Sequence, residues 1–177
     1  RIFQSEGEHV KFFRSGLLNA PYLTALGFVY LSDISPLSSV LSQQHCNSML
    51  QVLTLDSVYS SDNQYLHFET PPTFPSIKKL IFDSVNMHDN DMRILLQSCP
   101  NLDLVKLCDA TNFKADFLMN CSTETLICDA LLPLLSQDFS AALMSMKRLK
   151  NLTLKRIGLK MRKRMCWCDL LFSTVHF

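Results

Sequence analysis

Pro75-Ser76-Ile77-Lys78-Lys79-Leu80-Ile81-Phe82-Asp83-Ser84-Val85 is the stretch whose reading decides the architecture of this chain. Its apolar residues fall at Ile77, Leu80 and Phe82, a Leu-x-x-Leu-x-Leu-like string, and Val85 follows three places on. Comparable strings stand upstream at Leu23-x-x-Leu26-x-Phe28 and Leu50-x-x-Leu53-x-Leu55. Downstream come Leu102-x-x-Val105-x-Leu107, Thr123-x-x-Leu126-x-Cys128 and Leu149-x-x-Leu152-x-Leu154. Their first residues are 27, 27, 25, 21 and 26 positions apart, and the extra apolar residue recurs as Leu31, Val58, Val85, Ala110, Leu131 and Ile157.

A period of roughly 20–29 residues with this signature is that of a leucine-rich repeat, one short strand per repeat. The expected fold class is α/β: a leucine-rich-repeat solenoid of the ribonuclease-inhibitor-like kind. It would have about six repeats, a parallel concave sheet, and helices or loops on the convex side. Three segments follow: 1–20 as an N-terminal cap or partial repeat, 21–160 as the repeat domain, and 161–177 as an irregular basic and apolar C-terminal tail. In such an array the core is a strip shared between neighbours, and an apolar content of 47% is enough to fill it.

The connecting segments predict the convex side. Ser35-Pro36 opens a helical stretch with Leu37, Val40 and Leu41 on one face, ending near His45-Cys46. Asp89 or Asn90 is expected to cap a helix carrying Met92, Leu95, Leu96 and Cys99, with Pro100 as its stop. The shorter interval after the fourth string leaves room only for a short helix over Phe113 to Cys121. Pro133 suits a first helical turn ahead of an apolar stripe at Leu135, Phe139, Leu143 and Met146. Tyr59 to Phe74, rich in polar turn formers and holding Pro71-Pro72, reads as a loop.

Side chains alternate along a strand, so the residues beside the inward apolar positions should line the concave face. The candidate partner-binding residues are Val52, Thr54, Asp56, Lys79, Ile81, Asp83, Leu104, Lys106, Ile127 and Asp129. One column reads Val29, Asp56, Asp83, Cys108, Asp129 and Lys155, and its aspartates would suit a basic peptide or simply keep an exposed sheet soluble. Val52, Ile81, Leu104 and Ile127 would leave apolar surface uncovered on that face, as recognition surfaces do.

The chemistry-bearing motifs are missing. Four glycines leave no phosphate-cradling loop, and there is neither a Gly-x-Ser-x-Gly elbow nor a His-Glu-x-x-His pair. Five histidines are scattered without a partner acid or thiol at telling spacing, and Asp89 with Asp91 sits where a helix start favours carboxylates. Catalytic, cofactor and metal residues are therefore each expected to be none, and Cys166-Trp167-Cys168 is too tight for a zinc half-site. Seven cysteines, an odd number without framework spacing, read as reduced thiols of a cytoplasmic or nuclear protein. The sequons at Asn120 and Asn151 read as chance, the second lying on a strand.

The formal net charge of +1 hides an asymmetry: Lys155, Arg156, Lys160, Arg162, Lys163 and Arg164 hold six of the 17 basic residues. The run could serve nuclear import or nucleic acid, but it lacks interleaved aromatics and reads as a solvated turn. Nucleic acid is not expected as a partner. Nor is a membrane, since no apolar stretch approaches the ~18 residues of a span. Beginning at Arg1, the chain reads as a fragment.

Two pieces, Pro75 to Val85 and Leu95 to Leu102, resemble the repeats of F-box/leucine-rich-repeat proteins, particularly the plant kind. There a Pro-Ser-Leu-Lys-x-Leu-x-Leu-x-x-Val strand precedes Leu-Leu-x-x-Cys-Pro-x-Leu. The resemblance implies the substrate-binding repeats of a Skp1–cullin–F-box ubiquitin ligase, a protein substrate on the concave face, and a Skp1-type adaptor held only through an F-box. No Leu-Pro-x-x-Leu segment of that kind stands in residues 1–20. The alternative is a ligand-sensing or scaffolding repeat domain, immune-receptor-like, with no ubiquitin role.

Overall fold

Each of the six strings folds into a strand, and the strands lie side by side in the order in which the chain makes them. The computed structural model describes residues 22–30, 41, 49–59, 73–109, 115–129, 137–155 and 173–176. Strands β1 (Ala25–Val29), β2 (Val52–Asp56), β3 (Lys79–Asp83), β4 (Leu102–Cys108), β5 (Thr123–Asp129) and β6 (Asn151–Lys155) are all parallel. A seventh, β7 (Ser173–His176), adds to β6 antiparallel. The chain is thus an α/β protein built on an open sheet with few helices.

Register follows the strings. Leu26, Leu53, Leu80, Val105, Leu126 and Leu152 are successive partners across the sheet, and so are Phe28, Leu55, Phe82, Leu107, Cys128 and Leu154. All of the first row is buried, as is the second up to Cys128; Leu154 is half-buried against the core. A slip of one residue would turn both rows outward, which pins the pairing. Thr123 occupies an otherwise apolar first position, fully buried, and its hydroxyl donates to the Thr125 carbonyl at 3.1 Å.

Backbone polar groups at the strand ends recur from strand to strand. Before the strands, one carbonyl receives two N–H groups of the next segment: Thr24 O from Gln51 and Val52, Gln51 O from Lys78 and Lys79, Lys78 O from Asp103 and Leu104. After the strands, Tyr30, Ser57, Ser84 and Asp109 adopt left-handed backbone with φ of 57°, 50°, 50° and 47°. Each sends its N–H to the last carbonyl of the following strand: Asp56, Asp83, Cys108 and Asp129, at 2.9–3.0 Å. The four turns are one device used repeatedly, and none of them uses glycine.

Helix α1 (Asp89–Gln97) buries Met92, Leu95 and Leu96, with Cys99 beyond its end. The expected cap is corrected: His88 is the N-cap and makes no side-chain capping bond, while Asp89 and Asp91 lie inside the first turn. There their negative charge suits the positive end of the helix dipole. Ser98 ends the helix, its hydroxyl donating to Ile94 O at 2.6 Å. After β4 the described part of the connection holds a 3-10 turn, Ala115–Leu118, which buries Phe117 and Leu118. Helix α2 (Gln137–Ser145) buries Phe139 and Ala142, with Met146 just beyond and Leu143 packed alongside. Together with one side of the sheet these segments form a single core.

The expected helix over 35–46 and the loop over 60–72 lie outside the described residues, apart from Leu41, which is fully buried. So do residues 1–20, Leu135 and most of 161–177; within that last segment, set down as irregular, Ser173–His176 pairs with β6. Among the described residues no helix is long and apolar enough to cross a membrane.

Candidate functional site: the open face of the sheet

Strand alternation that buries Leu53 and Leu55 leaves Val52, Thr54 and Asp56 on the other side, and the shared register lines such triplets into three columns. The first runs Ala25, Val52, Lys79, Leu104, Thr125, Asn151. Gly27, Thr54, Ile81, Lys106, Ile127 and Thr153 make the second, and Val29, Asp56, Asp83, Cys108, Asp129 and Lys155 the third. All ten candidate residues therefore share one face. Nine of them are half-buried, because neighbouring strands only about 4.8 Å apart shade one another's side chains, and Lys79 is exposed.

The face mixes apolar and charged residues, with the acidic ones gathered in the third column. Ile81 and Ile127 flank Lys106 in the central column. In the third column Asp56 stands directly opposite Asp83, while Cys108 separates Asp83 from Asp129. Cys108 is the exception on this face, since only 4% of its surface is exposed. Burial raises its thiol pKa above the ordinary value. A hydrogen bond and positive charge from Lys106 oppose that rise, and the Asp83 and Asp129 carboxylates add to it. The thiol is thus a neutral filler between two aspartates. Ser57 and Ser84 hydroxyls donate to Asp56 Oδ1 at 2.9 Å and Asp83 Oδ1 at 3.2 Å, which steadies both carboxylates.

At the opposite margin, where the strands begin, Glu124 collects two cations. Arg148 Nη2 lies 3.3 Å from its Oε1 and Lys150 Nζ 3.1 Å from its Oε2. These hydrogen bonds, Lys150 first and then Arg148, hold the Glu124 carboxyl below the usual carboxylate range. Arg148 also donates to Pro100 O at 3.1 Å, and Asn101 Nδ2 to Pro75 O at 3.0 Å. This edge is tied up within the molecule.

Sequence reasoning missed two exposed rings on the aspartate edge. Tyr30, 64% exposed, occupies the left-handed turn after β1, and Tyr59, 49% exposed, forms an isolated parallel bridge with Asn86. No strand-alternation rule points to either, because both lie past the strand ends. Among the described residues no cluster of three or more His, Cys, Asp or Glu could hold a metal ion.

Fold and site together define an open-faced α/β protein whose sheet presents a mixed apolar and acidic surface. No family model, curated protein or solved structure matches the chain.

Proposed function

We propose that this chain is a leucine-rich-repeat segment whose open, concave sheet face recognises a protein, and that it performs no catalysis of its own. The observation that carries the reading is the register of β2 to β5, which aligns Ile81 and Ile127 with Lys106 between them and sets Asp56, Asp83 and Asp129 in a row beside them. Apolar side chains set beside charged ones suit a protein-recognition surface. The wording of Pro75 to Val85 and Leu95 to Leu102 extends the proposal to substrate selection for a Skp1–cullin–F-box ubiquitin ligase. A cytoplasmic or nuclear address goes with it, supported by Cys99, Cys108, Cys121 and Cys128 being unbonded thiols.

The test is a quantitative capture experiment comparing the wild-type chain, an Ile81→Glu/Asp83→Lys/Asp129→Lys chain and a Met144→Glu control. Met144 is 85% exposed on α2, away from the sheet face. Partners that bind the wild type and the control but not the triple variant, at unchanged melting temperature, are the expected result. Partners retained by all three chains would remove the open face from consideration. Recovery of a Skp1-type adaptor with the parent protein separates the ubiquitin reading from a scaffolding one.

A further inference from the structure

We draw no further inference here: the strongest candidate, the outer edge of β1 around Gly27, is a strand edge with no described strand beyond it, and nothing in the structure shows what covers it.

Discussion

Replacing Leu80 by alanine tests the core where it is most enclosed. Leu80 is 0% exposed and stands between Leu53 and Val105 in the row of inward residues, both also 0% exposed. Removing its outer carbons forfeits about 2 kcal/mol of transfer free energy at ~0.8 kcal/mol per methylene-sized group. A residual void on the order of 60 Å³ adds about 1.5 kcal/mol at ~24 cal/mol per Å³. The expected loss is therefore about 3.5 kcal/mol, inside the range of about 2–5 found for such changes. With a urea m-value of about 2 kcal/mol/M, the unfolding midpoint should fall by roughly 1.8 M. Leu26→Ala is the internal comparison: its row position is the same, but Leu26 sits on the first strand and keeps 8% exposure. It has a described strand on one side only, so its loss should be nearer the lower bound of about 2 kcal/mol. A Leu80→Ala cost below about 1 kcal/mol, outside the range for an enclosed leucine, would refute the reasoning. So would equal costs at the two positions.

Ser84 holds a left-handed backbone at φ 50°, so Ser84→Gly should stabilise by about 0.5 kcal/mol in thermal melts, strain relief outweighing the lost hydroxyl bond and added chain entropy. Ser84→Val should instead cost more than about 1 kcal/mol. Burial pushes the thiols of Cys121 and Cys128 up to about 12, and raises Cys99 still further. In the native state at pH 8 they should resist iodoacetamide and react only after denaturation. Because the folded protein keeps these protons while the unfolded chain begins to release them near pH 9, their stabilising contribution is complete below about pH 9. It should be lost as pH rises towards about 12, which alkaline urea titrations measure. For Glu124, whose pKa is lowered, the contribution is present above the unfolded carboxyl pKa and lost as pH falls through the lower folded one. An NMR titration should place its midpoint below that of free glutamate, and 1 M salt should move it back up.

The strand positions were legible because burying two rows per strand in a parallel sheet permits one register, and the strings at Leu50, Ile77, Leu102 and Thr123 state it four times over. The candidate face followed from the same alternation. Glycine is the usual marker of a left-handed turn, and at Tyr30, Ser57, Ser84 and Asp109 the chain uses other residues, stabilised by a bond to the following strand that local sequence does not encode. His88 took the cap because Asp89 and Asn90 were drawn into the helix itself, where helical φ and ψ exclude the capping role. Cys108 lay on the predicted face, but strand alternation did not foretell its burial. Ser173–His176 carried too short a pattern to read as a strand, and its pairing comes from the edge that β6 offers.

Sequential strand order also sets how the protein should respond to force. A tether pulling on an outer strand, β1 for instance, loads the hydrogen bonds to its one described neighbour and the core contacts of Leu26 and Phe28, so those bonds part in turn, as in a zipper, instead of sharing the load as they would in shear. Extension would then proceed in small, similar steps of about one string-to-string interval each. A polypeptide built this way is mechanically compliant at its ends while remaining stiff through β3 and β4.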